Sequence, residues 1–329
     1  MALSDGTFKF YGTGGTNTIQ YSIDNGETWS ETLLNVTVNV NTGDEVLWKG
    51  EMVPQNDKSF SGNDITCIGT FIGSTATYNV QGNIMSLLYG DNFIGQISLN
   101  EKEEVFVRLF SDLVILDSEP NTNIINAKNL ILPATTLANY CYHSMFNGCT
   151  SLITVPELPA TTLANYCYSE MFKDCASLIN PPQLPATTLA NYCYHSMFNG
   201  CTSLTTAPQL LATTLAEGCY IGMFIGCTSL TTAPQLPATT LNISCYMGMF
   251  NGCTSLTTAP SALPATTLTN ACYSDMFRNC TSLTQAPELP ATTLADGCYS
   301  DMFRECTSLK TAPELPATTL VANCYGSMF

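Results

Sequence analysis

The sequence predicts an antiparallel β-domain followed by an α/β solenoid, with one short strand and one short helix per turn. Three observations carry this: a repeat of 26 residues from about residue 129 with one 27-residue step between Leu236 and Leu263, an apolar period of four within each repeat, and alternating β-prone and polar residues before it. The chain has 329 residues, 45% of them hydrophobic, which suffices for more than one core. Only 11% are charged, so the surface must be largely neutral and polar. The formal charge of −16 leaves no basic footprint for nucleic acid and no attraction to an anionic membrane surface. No run of 18 apolar residues occurs, so no membrane insertion is expected.

Residues 1–66 form the expected β-domain, sandwich-like and ending near Lys58 to Thr66. Its strands are GTFKFYG, TIQYSI, TLLNVTVNV and EVLWKGEM, and Asn25-Gly26 supplies a tight hairpin turn. The stretch from Ser22 to Trp29 fits the Asp-box pattern S-x-D-x-G-x-T-W known from sialidase propellers. One copy, with only Arg108, Arg278 and Arg304 in the chain, points to a structural hairpin: Asp24 accepts backbone N–H groups, Gly26 supplies positive φ and Trp29 packs beneath. Residues 67–128 are a transition and a degenerate capping repeat. VFVRLFSDL, residues 105–113, lies over CYHSMFNGC, residues 141–149, with Val105 and Leu113 in the two cysteine positions.

Residues 129–329 hold eight units, the last one incomplete. LPATTL begins at Leu132, Leu158, Leu184, Leu236, Leu263, Leu289 and Leu315, and LLATTL at Leu210. Such a short period means units that bury their apolar faces only against their neighbours. Leu163, Cys167, Met171 and Cys175 follow at intervals of four, which reads as one face of a helix. Thr161 or Thr162 would cap it, and Gly148, Gly200, Gly226 and Gly252 would stop it. TSLTTAP then suits one brief strand closed by proline. LPATT lacks the glycine of a sortase signal and recurs internally, so it is a repeat corner.

Seven cysteine pairs recur: Cys141/Cys149, Cys167/Cys175, Cys193/Cys201, Cys219/Cys227, Cys245/Cys253, Cys272/Cys280 and Cys298/Cys306. Because Val105 and Leu113 replace both thiols in the degenerate unit, these cysteines are expected to be small buried core residues. The spacing is unlike the short C-x₂₋₄-C of zinc sites, and no metal or cofactor is expected. A disulfide across each pair stays open, although Cys324 and Cys67 stand alone. His143 and His195 occur in only two units and are expected to be exposed.

Tyr142, Tyr168, Tyr194, Tyr220, Tyr246, Tyr273, Tyr299 and Tyr325 follow the first cysteine of every unit and should form a ladder. Inter-repeat ring packing is the preferred explanation, with a sugar-binding strip as the other. The candidate binding face joins the first seven of these tyrosines to the positions that vary between units, notably His143, Glu170, His195, Asp275 and Asp301. Threonine pairs such as Thr205-Thr206 make a second neutral stripe.

MFNGCTSLTTAPQLPATTL resembles the BspA-like leucine-rich repeats, with Phe198, Cys201, Leu204 and Pro208 matching F-x-x-C-x-x-L-x-x-x-x-x-P, as do Phe250, Cys253, Leu256 and Pro260. The resemblance covers residues 129–329 and implies a right-handed leucine-rich-repeat solenoid. Such repeats occur on surface proteins of gut anaerobes, in adhesins of mucosal parasites and in phages of those bacteria. The expected function is therefore non-enzymatic recognition or adhesion toward a glycan or protein ligand, with a purely structural spacer as the alternative. No nucleophile–base pair can be assembled, so no enzyme is expected. MALSDGTFKF has no leader character, which favours a phage virion protein over a bacterial surface protein. The sequence stops inside its eighth unit, so the natural chain is expected to continue, or this end to dock on a partner or a second copy.

Overall fold

A computed structural model of the chain describes residues 1–12, 18–32, 35–51, 69–71, 73–111 and 123–329. Cys67, Leu113 and the boundary expected at Lys58 to Thr66 lie outside the described residues. Strand β1 (Gly6–Gly12) pairs antiparallel with β4 (Asn35–Val40) and with β6 (Gly69–Thr70). Strand β2 (Thr18–Ser22) pairs with β3 (Ser30–Thr32) and β5 (Leu47–Glu51). Alternation explains the core: Phe8 and Phe10 turn in from β1 and Val38 and Val40 from β4. Phe10 meets Trp48 of the other sheet at 5.7 Å, and Trp48 meets Phe71 edge-on at 5.0 Å. Because β6 belongs to the first sheet, the β-domain runs past residue 66, further than expected.

The Asp-box stretch is a hairpin loop between β2 and β3, with φ of 60° at Asn25 and 88° at Gly26. Asp24 accepts the Thr28 N–H at 2.9 Å and the Thr28 and Ser22 hydroxyls. These bonds hold its carboxyl at about 2.

Strand β7 (Tyr78–Asn83) pairs in parallel with β8 (Ile124–Ile131), and Asn126 of β8 bridges Thr154 of the next coil. Further on, the strand side shrinks to single bridges such as Thr136–Thr162 and Thr232–Thr258. Equivalent residues of neighbouring coils thus lie side by side at the repeat distance.

The helix expected in each unit is not formed. Cys141, His143, Met145, Asn147 and Cys149 each donate their N–H to the carbonyl three residues back, at 3.0–3.4 Å. The residues between them, Tyr142, Ser144, Phe146 and Gly148, donate instead to Cys167, Ser169, Met171 and Lys173 of the next coil, at 2.9–3.0 Å. The segment is a chain of overlapping turns, closed alternately inward and onward. Every second turn has a third residue with positive φ, as type II geometry requires: Tyr140 at 56°, Ser144 at 52° and Gly148 at 79°. The same frame recurs at Tyr166, Glu170 and Asp174, and at Gly218, Gly222 and Gly226.

This period of four is what resembled a helix. A true α-helix drifts by about 40° over four residues, so a strict four-residue stripe would spiral off its face. Here Cys141 and Tyr142, then Met145 and Phe146, then Cys149 all point inward. Each fully buried Met or Phe stabilises by roughly 1.5–3 kcal/mol. The phenylalanines stack from Phe110 through Phe146 to Phe329 with ring centroids 5.1–5.8 Å apart. The degenerate unit joins in the expected register: Phe106 stacks on Tyr142 at 5.7 Å, Phe110 on Phe146 at 5.1 Å, and Val105 is buried.

All fourteen paired cysteines are buried free thiols, and Cys324 is a fifteenth. The second thiol of each pair donates to a phenylalanine carbonyl of the preceding coil, as Cys175 does to Phe146 and Cys201 to Phe172, at 3.0–3.1 Å. Burial pushes the Cys141 and Cys175 thiols well up, and Cys167 to about 12.

Two outcomes are expected. Gly226 has φ of 68° with open space where a Cβ would stand. Gly226→Ala should therefore destabilise by about 1 kcal/mol in urea melts, and Gly226→Asn by less. In a helix the alanine would stabilise by a similar amount. An alkylating reagent at pH 8, followed by peptide mass spectrometry, should modify none of the fifteen described cysteines in the folded chain and all of them in denaturant.

Candidate functional site

The turn frame decides which side chains reach the surface. Because it turns residues inward in adjacent pairs, the tyrosine after each first cysteine shares that cysteine's burial. Tyr142, Tyr168, Tyr194, Tyr220, Tyr246, Tyr273 and Tyr299 are at most 2% exposed and stack at 5.6–6.0 Å. They are core and leave the candidate binding face. A helical frame, which rotates each residue by about 100°, would have swung them outward.

A different row of tyrosines comes to the surface. Tyr140, Tyr166 and Tyr192 precede the first cysteine in the first three regular coils and are half-buried. They stack at 4.6 and 4.7 Å with their planes within 6°. Beside them runs an asparagine ladder: Asn139 Oδ1 accepts the Asn165 N–H at 3.0 Å, and Asn165 Oδ1 accepts the Asn191 N–H at 3.1 Å. Both ladders end together. Asn191 Oδ1 accepts the Glu217 N–H, and Tyr192 donates its hydroxyl to Glu217 Oε1 at 2.7 Å. This bond, with some burial, pushes Tyr192 up to about 12. In the next coil Gly218 stands where a tyrosine would, and a Cβ there would lie 2.3 Å from Tyr192 Cε1. The patch is local, confined to three of the coils.

Of the predicted residues, His143, Glu170 and His195 are brought together on the flank of this stack. His143 meets the Tyr140 ring edge-on at 5.8 Å and His195 meets Tyr192 at 6.3 Å. Ser144 lies 3.3 Å from His143 Nε2 and donates to Glu170 Oε2 at 3.1 Å. Asn147 donates to the same oxygen, Lys173 stands 3.7 Å from Glu170 Oε1, and Ser169 contacts His195 Nδ1 at 3.3 Å. His143 is only 9% exposed, contrary to the expected surface position, because the coil folds it under the Tyr140 ring. His195 is half-buried. Ser144 and Ser169 are buried as well.

The electrostatics follow from that packing. Burial depresses His143 to about 4; Glu170 opposes the shift, and Arg108 and His195 add to it. Burial alone would raise Glu170, but Lys173, His143 and the Ser144 hydroxyl outweigh it and hold the carboxyl low. Asp275 and Asp301 lie further along the same row. Each is engaged by an arginine of its own coil, Arg278 or Arg304, at 3.0 Å, and so neither joins the cluster.

Arg108, Asn139, Tyr140, Asn165, Tyr166, Lys173, Asn191, Tyr192 and Glu217 were not singled out by sequence. The signal was present: ANYC occurs in three consecutive units and gives way to AEGC in the fourth. Among the described residues no group of three or more His, Cys, Asp or Glu is placed to hold a metal ion, and no helix is long and apolar enough to cross a membrane. No family model, curated protein or solved structure matches the chain.

His143 titrates below its ordinary value of 6.5 in the folded chain. The unfolded chain therefore takes up this proton first. Its contribution to stability is intact above pH 6.5 and fades as pH falls toward 4, by at most about 3 kcal/mol. Imidazole NMR shifts should show a neutral ring at pH 5, and His143→Gln should flatten the pH dependence of urea midpoints between pH 6.5 and 4.

Proposed function

We propose that this chain is a non-enzymatic recognition protein, exposed on a virion or a cell surface, whose stacked coils hold one local patch rigidly toward a glycan. The observation that carries this is the bounded Tyr140–Tyr166–Tyr192 ladder with His143, Glu170 and His195 on its flank. Core rows repeat in every coil because stacking demands it. A polar and aromatic row kept for three coils and ended at Gly218 has no such demand behind it. Phenol edges and hydroxyls, amides, imidazoles and a carboxylate on a fixed backbone offer the directional hydrogen bonding that sugar hydroxyls require. The resemblance of the repeats to BspA-like surface proteins supports the same reading.

The contacts argue against a hydrolase at this patch. In a nucleophilic triad the acid orients the histidine, whereas here Glu170 takes the serine hydroxyl and Ser144 is buried. A spacer is the second reading, favoured by the later coils, where Asp275 and Asp301 are already paired.

Glycan arrays and binding to bacterial cells test the proposal, with Tyr166→Ala and His195→Ala combined as the patch variant and Asp301→Ala as a control on a distant coil. The patch variant should lose at least tenfold in apparent affinity and the control should keep it, both folding normally by circular dichroism. No ligand on either array or cells would favour the spacer, and equal binding by both variants would take the ligand away from this patch.

A further inference from the structure

A second site lies away from the coil patch, where the β-domain meets the first strands of the stack. A cleft of about 400 Å³ opens between β5, β7 and the short helix Ser86–Tyr89. Both tryptophans of the chain line it, Trp29 from the hairpin loop and Trp48 from β5. The Asp-box hairpin thereby acquires a task beyond turning the chain, since it carries Trp29 to the cleft wall.

The polar groups around these rings define what fits. Lys49 Nζ lies 4.2 Å over the Trp29 ring and 2.8 Å from Asp91 Oδ2, so the aromatic face already has its cation and the cation its counter-ion. A cationic ligand would compete with Lys49. An anionic one would face Asp91, Glu45 and a chain of formal charge −16. What remains is a neutral guest. Gln81 donates to Glu45 Oε1 at 3.1 Å, which leaves its own amide oxygen and the second Glu45 oxygen for hydroxyl donors. Asn79, also in the lining, has its side-chain oxygen buried without a hydrogen-bond partner, so no protein contact fixes that end of the amide. Indole surface plus uncommitted amides in a concave site is the chemistry that takes a pyranose ring, apolar on its C–H faces and polar at its rim.

We propose that this cleft binds a neutral sugar, one pyranose unit or the end of a glycan chain. It shares no residue with the coil patch, so either site can fail without the other.

Because both tryptophans line the cleft, intrinsic tryptophan emission reports on it directly. The full chain is titrated to tens of millimolar with glucose, galactose, mannose and N-acetylglucosamine, and with glucuronate and choline as charged comparisons. A saturable change with at least one neutral sugar is expected, weakened about five- to tenfold by Asn79→Ala or Gln81→Ala. Tyr166→Ala, on the distant patch, should leave it unchanged. The proposal is overturned by no saturable response to any neutral sugar, by a response to the charged compounds alone, or by a response that both amide variants leave intact.

Discussion

The repeat region depends on how its backbone divides its hydrogen bonds. Along each turn wall, alternate N–H groups close a turn within the coil and the others reach the next coil. Neither half suffices alone: turns without onward bonds would leave donors buried and unpaired, and onward bonds without turns would give a flat strand. The division also fixes the conformation, because every fourth residue must take positive φ. Where the side chain is not glycine, that state costs about 1–2 kcal/mol. Neighbouring coils recover the cost through stacked rings and buried methionine and cysteine.

The thiols belong to this same constraint. The second cysteine of each pair sits where a turn ends, its sulfur close enough to a phenylalanine carbonyl of the preceding coil to share it with a backbone N–H. Phe146 O accepts both Cys149 N and Cys175 Sγ. Val105 of the degenerate unit fills a first-cysteine position; in the last pair that position turns its thiol onward instead, Cys298 Sγ lying 3.7 Å from Cys324 O of the next coil.

Much of this was legible in the sequence. The repeat length, the degenerate unit and the buried cysteines follow from spacing and substitution, as the Phe106–Tyr142 and Phe110–Phe146 stacks illustrate. The β-domain strands follow from alternation. The helix did not survive, because a stripe of four was counted as 3.6. Gly218, Gly222 and Gly226, spaced by four in EGCYIGMFIGC, spoke against a helix, since each would weaken one by about 1 kcal/mol. Ring packing was the preferred reading of Tyr142 and its equivalents, and their burial agrees with it rather than with a binding strip. His143 was expected at the surface because it occurs in two units only, and a count of units cannot show the Tyr140 ring that covers it. The Tyr140 ladder was missed because its positive φ is invisible to a helical frame. The cleft was beyond reach, because it joins Trp29, Trp48 and Asn79 from segments with no sequence relation.

On the turn wall every onward N–H points toward the later coil, whereas on the strand side donors run both ways, as Ala127 to Thr154 and Ile153 to Ile125 show. One wall therefore has a lengthwise electrical polarity, with carbonyl oxygens facing back at its beginning. The β-domain meets that end with donors: Phe71 N–H reaches Leu109 O at 2.8 Å, and the Thr70 hydroxyl lies within 3.1 Å of the Arg108 and Leu109 oxygens. It serves the wall as a C-cap serves a helix, and only a partner of that sign can close it.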